Sequence, residues 1–449
     1  MKGFARSESV IIFSYFIFMI LLGSLLLSLP SSWKGEDDLA YSDALFTSVS
    51  AVCVTGLAVV DTASYTKSGQ IILLCLIQLG GLGIVTFSTL FLIIPGLRMS
   101  MNRSQILLDF NPEKGRRDPR RIIRIIILYT LAIEGIGAFI LSRLFRARGV
   151  PEPVFTGIFH GISAFCNAGF SRFSNSLEDF ALDLPVNLTI MGLIITGGLG
   201  FMVIRDLTRR VFVPGHRLRY HTKLMVIATG ALILGGALFF FITEGSGVFA
   251  LYEGHRTTPG ERVLLAFFQS ITERTAGFNS IPQGEISLPG QVFSLMLMII
   301  GGGSGSTAGG IKVTTALLIF FVMTNNLNTR GEVRFFKRRI PAELIARAGL
   351  FFLKAMGFLF VTLLALLVTE RNNPQVAGNL TALIFETFSA LGTVGLSHGI
   401  TPLLTTTGKA VIIITMFAGR VGLFTMILPR RDRQKERHID WPTGEVLIG

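Results

Sequence analysis

Four short phrases hold the residues of this 449-residue chain with the clearest chemical use: VTGL at 54–57, NAGF at 167–170, TAGF at 275–278 and TVGL at 393–396. Their glycines, Gly56, Gly169, Gly277 and Gly395, are separated by 113, 108 and 118 residues. Ten positions before each stands a phenylalanine: Phe46, Phe159, Phe267 and Phe385. Glycine reaches backbone angles that aim successive carbonyls at one axis, and it puts no side chain in the way. Four such turns meeting on an axis make a ring of carbonyl oxygens that can replace a cation's hydration shell. The candidate strands are Val54-Thr55-Gly56, Asn167-Ala168-Gly169, Thr275-Ala276-Gly277 and Thr393-Val394-Gly395. The hydroxyls of Thr55, Thr275 and Thr393 and the amide of Asn167 either line such a filter or brace it. Glycine turns that merely let helices pack closely are the plainer reading of any single phrase. Four in register, each after a short apolar segment, favour a pore.

A second constellation is GGGSGSTAGG: Gly301, Gly302, Gly303, Ser304, Gly305, Ser306, Thr307, Ala308, Gly309 and Gly310. It interrupts an apolar run and lacks the G-x-x-x-x-G-K-[ST] spacing of a phosphate loop. Ten nearly continuous small residues exceed what helix packing needs. They predict an unwound stretch with free carbonyls, tolerated at membrane depth only beside protein or a cavity, and placed to cross the ion path as a gate. Arg420 lies deep in the last apolar run, where an arginine is costly and needs a partner. It either raises a barrier to cations or anchors the loop through freed carbonyls. Lys312 can act similarly. Glu273 and Arg274 suggest an ion pair behind the third strand.

These residues require elements to carry them. Runs at about 10–30, 70–97, 122–145, 185–205, 222–243, 289–327, 343–369 and 405–428 reach the roughly 20 apolar residues of a bilayer crossing. Segments 43–53, 157–166, 262–274 and 380–391 are apolar but too short, and predict re-entrant helices. The first run shows no signal-peptide cleavage site and reads as a retained helix. Of the 41 Lys and Arg, 27 fall in the N-terminus and in 98–124, 205–223, 330–347 and 430–437, all on one side of an eight-span topology. That side is cytoplasmic, with both termini inside. The predicted fold is an all-α membrane protein of eight transmembrane helices and four pore helices. It comprises four same-direction repeats, 1–98, 99–210, 211–330 and 331–449, with pseudo-fourfold symmetry around one pore. Glycines 24 positions after the filter glycine, Gly80, Gly301 and Gly419, extend the register, and Gly197 at 28 replaces them in repeat 2.

Composition excludes other classes. Half the residues are apolar and 15% are charged, against about 25% in a soluble domain, and mean hydropathy is +0.61. Three cysteines, Cys53, Cys75 and Cys166, form neither a disulfide framework nor a zinc motif. The net charge of +13 lies in loops between spans, which reads as topology and not as nucleic-acid binding. Scattered acids such as Glu134 offer no paired-carboxylate or H-E-x-x-H site, so no enzyme and no catalytic residue is expected.

Thr393-Val394-Gly395 matches the start of a potassium-channel filter strand. With the fourfold repeat, single-glycine turns, Gly/Ser loop and Arg420, the chain resembles the Trk/Ktr/HKT superfamily of potassium transporters from about residue 10 onward. No span pair precedes the first unit and the chain ends in WPTGEVLIG, which resembles the Ktr-type membrane subunit. The resemblance implies K⁺ uptake across the bacterial cell (inner) membrane. K⁺ would sit at the carbonyls of Gly56, Gly169, Gly277 and Gly395, a gate loop would span 301–313, and Arg420 would be the pore arginine. It also implies a homodimer among membrane lipid, with one pore per protomer, on a cytoplasmic ring of RCK-type regulatory subunits. Nucleotide would bind that partner only, Na⁺ would be a possible activator, and no covalently bound cofactor is expected. The basic segments 98–124, 205–223 and 330–347 would form the docking surface. Gly56, where some plant members carry serine and prefer Na⁺, favours K⁺. A partner-independent, less selective Na⁺ or NH₄⁺ channel is the alternative.

Overall fold

The computed structural model describes residues 8–35, 38–90, 119–252, 254–324, 333–335, 338–340 and 342–422. The basic segments 98–118 and 430–437, and parts of 330–347, lie outside the described residues. Repeat 1 comprises α1 (Glu8–Leu27), α2 (Tyr41–Val52) and α3 (Lys67–Leu90). Repeat 2 comprises α4 (Pro119–Ala147), α5 (Pro153–Cys166), α6 (Leu184–Leu199) and α7 (Phe201–Phe212). Repeat 3 comprises α8 (Tyr220–Glu244), α9 (Pro259–Thr272), α10 (Leu288–Ile299) and α11 (Val313–Thr324). Repeat 4 comprises α12 (Ala342–Thr369), α13 (Leu380–Gly392) and α14 (Thr406–Phe417), which runs into a π-turn at Ala418–Gly422. Two short antiparallel hairpins, Leu251–Tyr252 with His255–Arg256 and Val333–Phe335 with Arg338–Ile340, join elements and were not foreseen in an all-α reading.

Local chemistry starts several of these helices. Thr258 and Glu261 form a reciprocal capping box at α9, with Pro259 in the first turn. The side chains of Asp183, Ser287, Asn379 and Thr405 cap α6, α10, α13 and α14. Among the described residues, Arg124–Ala147, Tyr220–Glu244 and Leu344–Thr369 are long and apolar enough to cross a bilayer. Their outward faces are bare hydrocarbon: Phe139 is 66% exposed, Ile242 68% and Val368 73%. Such faces fit lipid and not water.

Small residues set the depth to which the short helices sink. In repeat 1 a methyl at Gly23 would come within 2.5 Å of Ser48 Oγ, which itself donates to Ile20 O at 2.7 Å. In repeat 3 Gly236 meets Ser270, which donates to Ile233 O at 2.9 Å. In repeat 2 Gly161 lies against Ala138. Close backbone approach through small residues is how helices associate when lipid removes the hydrophobic drive.

The repeats close into a ring. Lys409 of repeat 4 pairs with Asp43 of repeat 1 at 2.8 Å. Glu152 of repeat 2 takes Lys67 of repeat 1 at 2.8 Å and its own repeat's Arg172 at 2.9 Å. Those contacts, Lys67 first, hold the Glu152 carboxyl below its ordinary range. Leu177 donates to Asn279 O at 2.9 Å, joining repeats 2 and 3. Gly392 of repeat 4 lies against Met298 O of repeat 3.

Several expectations need correction. The run 185–205 is not one helix: α6 and α7 meet at Gly200 with a 108° bend. Gly200 has φ +90°, and a methyl there would lie 2.7 Å from Ser304 O, so a residue without a side chain suits both the turn and the close approach of the Gly/Ser stretch. The run 289–327 is broken between α10 and α11, as its composition predicted. Helix α14 ends at Phe417, and α3 is described only to Leu90, so the distal ends of 405–428 and 70–97 fall outside the described residues. In repeat 3 the fully enclosed phenylalanine is Phe268, at 1% exposure, whereas Phe267 is half-buried.

Gly197 proves equivalent to Gly80 and Gly419, despite its longer spacing. A methyl at these three would strike Phe165 O, Val52 O and Leu391 O respectively, each four residues before a filter glycine. Repeat 2 therefore inserts four residues before the same contact. Gly80→Val should destabilise the fold by roughly 1–3 kcal/mol, since the overpacked partner is backbone. A lowered melting temperature in detergent checks this, and an unchanged one would show that α3 moves aside freely.

Candidate ion filter and gate

Each short helix ends where a candidate strand begins. Val54, Asn167, Thr275 and Thr393, two residues before their glycines, all adopt left-handed backbone (φ 55°, 58°, 65° and 49°). The glycines follow at φ +94°, +70°, +78° and +95°. Left-handed backbone is uncommon for β-branched residues such as Val54 and Thr393. Its recurrence at one register position in four repeats reflects the surroundings and not local preference. The helix C-terminus supports it: Thr55, Ala168 and Val394 N–H groups reach back 2.8 Å to Ser50 O, Ser163 O and Ser389 O, and Gly277 N–H reaches Thr272 O at 3.3 Å.

The four glycines touch head to tail. A methyl at Gly56 would fall 2.5 Å from Ala168 O, and one at Gly169 would fall 2.9 Å from Ala276 O. A methyl at Gly277 would strike Val394 O, and one at Gly395 would strike Thr55 O, closing the circle. The order around the ring is therefore 56, 169, 277, 395. All four glycines line one cavity of about 340 Å³ that also presents Asp61, Ser171, Ser176, Asn279, Ser397 and Thr401. The partial negative charge at each short helix's C-terminal end falls beside the ring.

The predicted strand residues divide by role. Thr55, Thr275 and Thr393 are fully buried, and their hydroxyls have no partner. With its amide turned to donate, Asn167 reaches Ala164 O and Ile194 O at 3.2 Å each, which makes it a brace. Val54, Ala168, Ala276 and Val394 are buried among the core residues. Residues not singled out from the sequence clasp the strands from behind. Ser50 and Ser389 accept from the N–H groups of Gly56 and Gly395 at 3.1 and 3.0 Å. Ser163 and Thr272 donate to Phe170 O and Phe278 O at 2.7 Å. The signal was present: a Ser or Thr five or six positions before every glycine.

The Gly/Ser stretch lies beside the ring and touches repeats 2 and 4. Gly303 donates to Gly198 O at 2.7 Å and Thr307 to Gly197 O at 3.3 Å, while Phe201 donates to Gly305 O at 3.2 Å. Thr307 Oγ1 donates to Phe165 O at 3.0 Å. Gly309 lies directly against the Thr393 hydroxyl, and Gly301 lies 3.4 Å from the Thr275 methyl, measured from the methyl each glycine lacks. Gly302 accepts from Val313 and Gly301 donates to Ile311 O, folding the loop on its own stem. Gly310 adopts φ +62° beside Gly392 O. Ser304 Oγ lies 3.3 Å from Thr314 Oγ1, and Ser306 Oγ has no partner. Lys312 Nζ caps Ala308 O at 2.6 Å.

Arg420 is buried and bridges repeats. Nη1 donates to Thr307 O at 2.5 Å and Nη2 to Gly80 O at 3.1 Å. Its partners are carbonyls, one of them in the unwound loop. Glu273 and Arg274 do not pair. Glu273 accepts from Gln269 and Ser294 at 2.8 and 2.5 Å, while Arg274 reaches Gly301 O at 3.5 Å. The two side chains diverge toward different elements because successive residues leave a helix end in different directions.

A family model described as TrkH, cation transport protein, matches residues 4–437. The chain belongs to the TrkH cation transport family. This TrkH-family chain is 38% identical over 436 residues to Ktr system potassium uptake protein B of Bacillus subtilis, covering 97% of this chain and 95% of the relative. It is 37% identical to the protein of that name from Vibrio alginolyticus, over 98% of this chain and 95% of the relative. It is 36% identical to potassium/sodium uptake protein NtpJ of Enterococcus hirae, over 97% and 95%. The crystal structure of the potassium transporter TrkH from Vibrio parahaemolyticus superposes with a TM-score of 0.70 at 20% identity, covering 95% of this chain and 85% of that one, which supports the fold. The expected Trk/Ktr/HKT membership, nearest the Ktr type, agrees with these relatives.

Proposed function

We propose that this chain carries K⁺ into the cell across the bacterial cell membrane, through a single pore at the centre of four repeats. The carrying observation is the ring: four glycines with positive φ, in head-to-tail contact, lining one outer cavity. Carbonyl oxygens held this way replace water around a cation without a side chain in the path. The unpartnered hydroxyls of Thr55, Thr275 and Thr393 are further ligands on the same strands. In this reading α1, α4, α8 and α12 and the helices after each filter strand are eight transmembrane elements, and α2, α5, α9 and α13 are pore helices. The repeat boundaries are 1–98, 99–210, 211–330 and 331–449, with both termini cytoplasmic. The chain performs no catalytic step.

The loop 301–313 is the gate in this reading, with Arg420 and Lys312 holding it closed by carbonyl contacts. Its open state is set by a cytoplasmic RCK-type ring that binds nucleotide, and the membrane unit is a homodimer. The naming of relatives as parts of a Ktr system supports a partner subunit. Na⁺ acts as an activator and not as the main cargo.

A looser, partner-independent monovalent channel is the second reading. The unlike strands and a relative named for both potassium and sodium favour it. Flux in liposomes containing only this protein, with K⁺ and Na⁺ gradients compared, separates the two. Selective K⁺ flux, or flux that appears only on adding the ring, supports the proposal. Equal K⁺ and Na⁺ flux without a partner would replace it with the second reading.

A further inference from the structure

The four short helices carry different residues nine positions before their glycines: Thr47, His160, Phe268 and Glu386. In repeats 2 and 4 this residue reaches the side chain two positions beyond the glycine. His160 Nε2 lies 3.0 Å from Ser171 Oγ. The Glu386 carboxylate accepts from Ser397 Oγ and, at 3.0 Å, from Thr401 Oγ1. Repeats 1 and 3 lack the link. Thr47 Oγ1 turns back to Asp43 O at 2.8 Å with Ala58 at the facing position, and Phe268 has nothing to offer Asn279.

The two braced strands are opposite each other. Around the ring, Gly169 and Gly395 each neighbour Gly56 and Gly277. Both braces start from fully buried groups, and Ser171 and Ser397 end them on the wall of the outer cavity. Each serine is also locked into its own loop: Ser171 donates to Ser176 O at 2.9 Å, and Ser397 accepts from Gly399 at 2.8 Å. The Glu386 brace is costly, because the second carboxyl oxygen is buried without a partner. A neutral apolar residue, as in Phe268, would fill the position more cheaply, so stability alone does not account for it.

We propose that His160 and Glu386 are positioning residues. Through Ser171 and Ser397 they fix the outer mouth of the ring across one diagonal, so that strands 2 and 4 set the affinity of the outermost cation site. The inference rests on the ring being an ion filter.

The test is the K⁺ concentration giving half-maximal thermal stabilisation of the purified full-length protein. It reads site affinity without needing an open gate or a partner. Ser171→Ala and Ser397→Ala cut the brace with little change in volume, together with each serine's bonds to its own loop. Each should raise the half-point about tenfold, beyond the modest fall in K⁺-free Tm expected from the lost loop bonds. Glu386→Gln combined with Ser397→Ala should be no worse than the more severe single change, because both cut one connection. Thr47→Ala, at the corresponding unbraced position, should stay within about twofold. An unmoved half-point in both serine variants, or an equal shift in Thr47→Ala, overturns the diagonal brace. Full K⁺ stabilisation in Gly277→Ala would instead overturn the filter, a result distinguishable from the first.

Discussion

Gly277→Ala and Gly395→Ala should each abolish K⁺-selective flux while leaving a folded protein in the membrane. Two independent costs meet at these positions. The first is conformational: φ of +78° and +95° lies outside the comfortable range of an L-residue, at roughly 1–2 kcal/mol. The second is steric: the new methyl would strike Val394 O or Thr55 O, the neighbouring strand's backbone, at roughly 1–3 kcal/mol. Together, about 3 kcal/mol reduces the population of the ring as seen by roughly a hundredfold. The damage stays local because the short helices remain capped and packed on their own outer helices. Flux and K⁺/Na⁺ discrimination in proteoliposomes, with a size-exclusion profile on the same preparation, read the two effects separately. Unaltered discrimination in both variants sinks the filter assignment.

Removing residues 303–309 should raise flux in the absence of any partner by at least tenfold. The stretch is tied across repeats by the bonds of Gly303 and Thr307 to the Gly197–Gly198 carbonyls, by Thr307 Oγ1 on Phe165 O and by Arg420 on Thr307 O. A neutral bond contributes about 1 kcal/mol net and a charged one about 1.5–3 kcal/mol. The tethers thus amount to several kcal/mol, which in the proposed reading is enough to hold the loop across the path. Arg420→Gln removes only the charged tether and should give a smaller increase, on the order of tenfold. Flux that stays at the closed level in the deletion, with the protein intact, would mean that residues 303–309 do not obstruct the path.

Much of this arrangement was legible from residue order. Backbone conformation at Gly56, Gly169, Gly277 and Gly395 depends on the absence of a Cβ, which is a property of residue type. Their even spacing could be counted. The same holds for the broken sixth run, because ten small residues cannot sustain a helix against unwinding. The break at Gly200 leaves no mark in the sequence, because its apolar neighbours continue without interruption. At its turn Gly200 lies against a carbonyl, Ser304 O, more than a hundred residues away in sequence. The Glu273–Arg274 pairing failed for the same kind of reason. Adjacency in sequence says nothing about direction at a helix end, and Ser294 on α10 reached the carboxylate first.

By itself, then, the sequence located the four glycine phrases, the apolar runs and the stretch of small residues where a run must unwind. These follow from composition and period, which act within one element. Only the tertiary structure decided the order of strands around the ring, the carbonyls that Arg420 bridges, the serines that clasp each strand and the diagonal that carries His160 and Glu386. Each of those is a contact between groups distant in the chain. It is selected when four nearly equivalent units close on one axis and their small differences are forced to fit.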